Sequence, residues 1–180
     1  MSWDLEGIDP NNIDDRLKEG RYQFMVQAVA EDDKGVNIVT AEVVAAFDPQ
    51  MLGKTQDFRF WPPKPANGDP EQLKKSQNTA RVQAKFLMAV GAVTKDDLVA
   101  AKARGEKTFV PDWSRAVGGF FFSDLSKNGK GYLEAKYGSY YTEKDAEVAN
   151  NPKAWPVGRT AAEREALAQQ ALAANTSVAF

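Results

Sequence analysis

The sequence predicts an all-β core with inserted helices. Strand-like and helix-like segments alternate along the chain in this order: strands at residues 21–30, 36–47 and 54–61, helices within 69–104, and strands at 116–124 and 132–141. This is the element order of a five-stranded OB-like barrel with a helical connection between strands 3 and 4, here followed by a C-terminal helix. An open α+β sheet has the same element order and is the alternative fold.

The first three strands are predicted by the alternation of apolar and polar residues. Residues 21–30 place one apolar set on a single face: Tyr22, Phe24, Val26 and Ala28. Residues 36–47 are rich in β-branched side chains, and their odd positions up to Phe47 form the predicted apolar face. In residues 54–61, the pattern places Phe58 and Phe60 on one side and Asp57, Arg59 and Trp61 on the other.

Capping signals predict the helices. Asp69 is the expected N-cap of a helix that starts at Pro70 and ends near Val90, before Gly91. Its expected buried stripe contains Leu73, Ala80, Ala84, Leu87 and Val90. Thr94 caps a second, short helix over residues 95–104.

The last two strands form a predicted hairpin. Asn128 and Gly129 are placed at its tip, within a loop over residues 126–131. In the strand over residues 132–141, the alternation places Tyr132, Lys136 and Tyr140 on the outer face. The earlier strand contains three consecutive phenylalanines, so at least one of them lies outside the core or under a helix.

The chain divides into an acidic N-terminal arm at residues 1–19, an OB-fold domain at 20–141, and a linker with a C-terminal helix at 142–180. The helix is expected after a Thr160 cap, over residues 161–174, with an apolar stripe too thin to anchor a core.

Composition excludes several classes of chemistry. The sequence has no cysteine and no histidine, which excludes disulfides, Cys/His zinc sites and histidine-based triads. No P-loop spacing is present, and acidic pairs such as Asp32-Asp33 lie in turns or first helical turns. The expectation is therefore a non-enzymatic protein without cofactor or metal. The sequence has neither a signal-peptide pattern nor a long apolar run, so a cytoplasmic protein is expected.

Charge and aromatic residues indicate a nucleic-acid partner. Residues 51–140 carry 15 basic and 9 acidic side chains, a net charge of +6. Single-strand binding needs cations for the backbone and aromatic faces for the bases, and both are interleaved here. The candidate binding residues are Arg59, Trp61, Lys64, Phe120, Lys127, Lys130, Tyr132, Lys136 and Tyr140.

Several short segments together resemble phage-encoded single-stranded-DNA-binding proteins of OB fold. The segments are WDL at residues 3–5, EGRYQF at 19–24, GK at 53–54, FLMAVG at 86–91 and NGKG at 128–131. The resemblance covers roughly residues 3–141. It implies binding in replication or recombination inside the host cell cytoplasm. Many single-strand binders end in an acidic tail with an apolar tip; here Phe180 follows no acidic run, so the resemblance does not imply recruitment by such a tail.

The leading hypothesis is a protein that binds single-stranded DNA with little regard to sequence. Its expected partners are single-stranded DNA, replication or recombination proteins, and further copies of the chain, and no membrane is expected. One alternative is an OB-fold adaptor that binds proteins of a virion, replisome or anti-defence system. A second is a small-molecule or nucleotide binder in the barrel mouth.

Overall fold

One long central strand organises the sheet. The structure, a computed structural model, describes residues 16–156 and 161–176. The strands are β1 (Gly20–Glu31), β2 (Asn37–Ala46), β3 (Thr55–Phe60), β4 (Phe120–Lys127) and β5 (Leu133–Ala135). Their antiparallel order is β3-β2-β1-β4-β5, and the sheet curls into a nearly closed barrel. The predicted OB-like barrel with inserted helices and a C-terminal helix is confirmed.

Two bulges curve the sheet, and one of them overturns a predicted side-chain orientation. Between β1 and β2 the register skips Gln27 on β1 and Val44 on β2. A bulge breaks the two-residue alternation, so Val43 and Val44 are both buried. The prediction that Phe47 shares the apolar face of strand 2 is wrong, because the strand ends after the bulge and Phe47 is 61% exposed.

The described residues form four helices, and the first two begin where their capping residues predict. They are α1 (Pro70–Ala89), α2 (Lys95–Ala103), α3 (Ala146–Ala149) and α4 (Ala161–Thr176). The Asp69 side chain accepts a hydrogen bond from the Glu71 N–H at the start of α1. Thr94 and Asp97 form a reciprocal capping box at α2. These bonds satisfy backbone donors that a helix start leaves without partners.

α1 packs through its last turn, where Phe86 joins an aromatic core. The ring centroid of Phe86 lies 4.6 Å from that of Phe60, 5.2 Å from Phe121 and 5.3 Å from Tyr140. The predicted buried stripe is wrong in its first half, since Leu73 and Ala80 are both exposed. The helix projects away from the barrel before its last turns. The spacing of apolar residues in the sequence therefore predicts a longer buried segment than the structure has.

β4 begins later than predicted. Its expected first residue, Ala116, belongs to a 3₁₀ turn at Trp113–Ala116, and the strand starts at Phe120. Gly118 and Gly119 hold this turn against β1 through backbone hydrogen bonds with Val26. A Cβ on Gly119 would lie 2.5 Å from the Val90 carbonyl oxygen, so the close approach requires glycine.

The chain after the barrel packs back on it. Trp155 packs edge-on against Phe122, and the Arg21 guanidinium lies 3.8 Å above the Trp155 ring. Arg21 also donates to both carboxylate oxygens of Asp124. This stacked ion pair fixes the segment that the sequence predicts as a linker against β1 and β4.

α4 lies along β1. Its Ala168 and Ala171 are buried in the main core, and Asn175 Nδ2 donates to the Gln27 carbonyl. Three sequence predictions fall outside the described residues: the arm up to residue 15, the Thr160 cap and the terminal Phe180.

Truncating Phe86 tests the aromatic core. We expect Phe86→Ala to lower the free energy of unfolding by about 3–5 kcal/mol, because it removes the ring between α1 and the barrel. Leu73→Ala on the exposed part of the same helix is the control, with an expected change below about 0.5 kcal/mol. Urea unfolding followed by circular dichroism measures both; equal effects would contradict the packing described here.

Candidate functional site

The barrel has an open seam between β3 and β5. These two strands are the edges of the sheet, and in the described chain no backbone ladder joins them. A side-chain contact crosses the seam: Gln56 Nε2 donates to the Leu133 carbonyl at 3.2 Å. Because a side chain and not a backbone ladder joins the two edges there, a groove remains between them, which we call the seam groove.

One end of the seam groove, its aromatic half, is lined by exposed rings. This half encloses about 720 Å³. Trp61 enters it from the end of β3, and Tyr132 and Tyr137 enter it from either side of β5. Their side chains are 57%, 69% and 79% exposed. Three exposed aromatic residues in one groove offer flat faces to planar ligands.

Two cations and two carboxylates share the aromatic half. Arg59 and Lys136 lie with Asp57 and Glu134, so the formal charges cancel. Asp57 accepts a hydrogen bond from the Thr40 hydroxyl, and Glu134 accepts one from the Asn128 amide. This half of the groove therefore presents aromatic faces and hydrogen-bonding groups with no net charge.

The other end, the basic half, continues from Gln56, Tyr132 and Leu133, which line both halves. It encloses about 900 Å³, and the described residues that line it carry an excess of positive charge. These residues include one carboxylate, that of Glu19, and four cations: Arg16, Lys18, Lys54 and Lys127. Charges of one sign in a concave surface raise the local concentration of anions.

An asparagine shapes the loop between the two halves. The Asn128 side-chain oxygen accepts hydrogen bonds from the N–H groups of Lys130 and Tyr132. Gly131 has a φ of +80°, the left-handed conformation of a turn followed by a glycine bulge. The predicted tip is wrong by one residue, because Asn128 starts the turn, which places Gly129 and Lys130 at its apex.

The structure brings six of the nine candidate residues to the groove, and five of them are exposed. Arg59, Trp61, Tyr132 and Lys136 line the aromatic half together with the buried Tyr140, and Lys127 lines the basic half. Lys130 at the loop apex and Lys64 in the proline-rich segment are exposed but do not line the groove. Whether any of these residues binds a nucleic acid stays a prediction.

Tyr140 corrects the predicted outer face of strand 5. The side chain is 7% exposed and packs in the core against Phe86 and Phe121, so Tyr140 borders the aromatic half as a buried residue and not as an exposed ring. The alternation fails because β5 ends at Ala135 and a turn follows, in which Ser139 N–H donates to the Lys136 carbonyl. As a result of this turn, Tyr140 is buried and Tyr137 is exposed, the reverse of what the alternation predicts.

Phe120 lies away from the seam groove. It is partly buried, and the Arg164 guanidinium of α4 lies 5.8 Å from its ring. Phe121 occupies the main core and Phe122 packs under Trp155. The expectation that the three phenylalanines cannot all share the core is confirmed. Phe120, one of the nine candidate residues, lies outside the seam groove.

Sequence reasoning missed four residues of the groove: Arg16, Lys18, Lys54 and Tyr137. For Tyr137, the one local signal in the sequence is the glycine that follows it. Gly138 has a φ of +68° and lies in the turn that exposes the Tyr137 ring. No local signal of this kind marks the three basic residues as groove residues, because the groove is assembled from segments that are distant in sequence.

Comparisons with known proteins leave the family open. No protein-family model matches the chain, and no curated protein matches it. Across residues 16–156 and 161–176, no three acidic side chains come close enough to hold a metal ion. Within the same part of the chain, none of the helices is long and apolar enough to cross a bilayer.

The burial of Tyr140 predicts a pH effect. Burial, and secondarily Glu134, raises the pKa of its hydroxyl well above the usual tyrosine value of about 10. Above that pH the unfolded chain loses a proton that the folded chain keeps, so stability falls as pH rises. We expect Tyr140→Phe to reduce this loss by up to about 1.4 kcal/mol per pH unit above pH 10.

Urea unfolding at neutral and alkaline pH checks this prediction. Tyr132→Phe is the matched control, because it removes the same hydroxyl group from an exposed side chain. The same slope in wild type and Tyr140→Phe would show that the Tyr140 hydroxyl ionises as readily in the folded as in the unfolded protein.

Proposed function

We propose that the protein binds single-stranded DNA in the seam groove, without strong sequence preference and without enzymatic activity, in phage or mobile-element replication or recombination. The observation that carries the proposal is one groove in which three exposed aromatic rings adjoin four cations. The resemblance to phage single-strand binders supports the biological setting.

The two halves of the groove match the two parts of a nucleotide. Bases have apolar faces that stack on Trp61, Tyr132 and Tyr137, and such stacking contributes about 1–3 kcal/mol per base whatever the base. Phosphates are attracted to the basic half, where Lys54 and Lys127 lie. Paired bases in a duplex have their faces covered, so this arrangement favours single strands.

The absence of histidine and cysteine from the sequence supports a non-enzymatic role. The proposal includes association with replication or recombination proteins and with further copies of the chain. The alternative of an OB-fold adaptor for proteins predicts no affinity for DNA, and the first experiment below separates the two.

Trp61→Ala tests the aromatic half. Wild type should bind a fluorescein-labelled oligo-dT strand and bind duplex DNA much more weakly, as measured by anisotropy. We expect Trp61→Ala to weaken single-strand binding by about 1–3 kcal/mol, because one stacked base is lost. Folding stability should change little, since the ring is more than half exposed.

Phe47→Ala is the matched control for Trp61→Ala. Phe47 is exposed to a similar degree but does not line the groove, so its removal should leave binding unchanged. If wild type, Trp61→Ala and Phe47→Ala bound the strand equally well, Trp61 would not belong to the binding site. If wild type did not bind the strand, the adaptor alternative would be favoured.

A salt series tests the basic half. We expect Lys54→Gln with Lys127→Gln to reduce the dependence of log K on log salt by about 1.4, since each phosphate contact on a single strand contributes about 0.7. Lys102→Gln with Lys107→Gln removes the same charge from exposed positions outside the groove. An equal change of slope in both double variants would indicate that the net charge of the protein, and not these two groove positions, determines the salt dependence of binding.

A further inference from the structure

The first three turns of α1 extend beyond the barrel with a largely exposed surface. The helix has 20 residues, and its buried side chains, Phe86 and Leu87, lie near its C-terminal end. The preceding part carries exposed residues such as Leu73 and Lys74. Core packing therefore does not account for the length of the helix.

The exposed part of α1 is strongly basic. Between Glu71 and Asp96 the sequence contains no acidic residue. Lys74, Arg81 and Lys85 are seven and four residues apart, a spacing that places them along one face of the helix. We call this face the α1 ridge. In the described part of the chain, no carboxylate forms an ion pair with Lys74 or Arg81.

The α1 ridge starts at the wall of the seam groove. Val82 lines the aromatic half, and the Gln83 side chain donates to the Trp61 carbonyl. Lys85 Nζ donates to the Gly138 carbonyl at 2.7 Å, beside the exposed Tyr137. A ligand that leaves the groove past Tyr137 therefore meets the ridge next, at Lys85.

We propose that the α1 ridge continues the path of the DNA backbone beyond the seam groove, so that long single strands contact Lys74 and Arg81 while short ones do not. This inference rests on the proposed function and adds a second contact region to it. From Lys85 to Lys74 the helix extends roughly 16 Å, against a rise of about 3.4 Å per nucleotide along the axis of a stacked strand. The ridge thus has room for several nucleotides outside the groove.

Strand length separates the ridge from the groove. We would compare wild type with Lys74→Gln and Arg81→Gln combined, using labelled oligo-dT of about 6 and about 25 nucleotides. Glutamine has a helix propensity close to that of lysine and arginine, so α1 should stay folded. Circular dichroism checks this directly.

We expect the double variant to bind the short strand as wild type does and the long strand roughly threefold to tenfold more weakly. Its salt dependence on the long strand should fall by about 1.4, the value for two lost phosphate contacts. Lys102→Gln with Lys107→Gln is the control of equal charge and should leave both strands unaffected.

Other results would overturn the inference. An equal loss on both strands would place the ridge within the primary site, and no loss on either would show that DNA does not reach it. Failure of wild type to bind either strand would reject the proposed function itself. Normal short-strand binding with no length effect would reject the ridge alone.

Discussion

The seam groove depends on the packing of Tyr140 in the aromatic core. Its ring lies 5.3 Å from Phe86 and 6.0 Å from Phe121, centroid to centroid. To reach this position the chain turns after Lys136, and β5 stops after three residues. β3 and β5 are the unpaired edges of the described sheet, and Tyr137, which follows β5, is exposed.

The same aromatic core connects the groove to α1. Phe60 is the last residue of β3 and stacks on Phe86 in the last turns of α1. Trp61 follows Phe60 directly and points outward, with its carbonyl bound by Gln83. The stacking of Phe60 on Phe86 therefore links one groove wall to the helix and gives the exposed Trp61 a packed support.

Charge is divided along the surface in a way that the net charge of −2 conceals. The basic half of the groove and the α1 ridge concentrate cations, while the aromatic half between them has carboxylates that balance its Arg59 and Lys136. Phosphates would gain little in the aromatic half, whereas uncharged bases would stack there. This division is what a ligand with a charged backbone and flat apolar bases requires.

The sequence by itself determined the order of elements, the helix starts at Asp69 and Thr94, and the outward position of Trp61 beside Arg59. These features follow from local rules, namely capping and the two-residue alternation of a strand. Only the tertiary structure decided where that alternation stops. The bulge at Val44 exposed Phe47, and the turn before Ser139 buried Tyr140 and exposed Tyr137. It also assembled the basic half from residues that are distant in sequence, such as Lys18 and Lys127, because only folding of the barrel brings them to one surface.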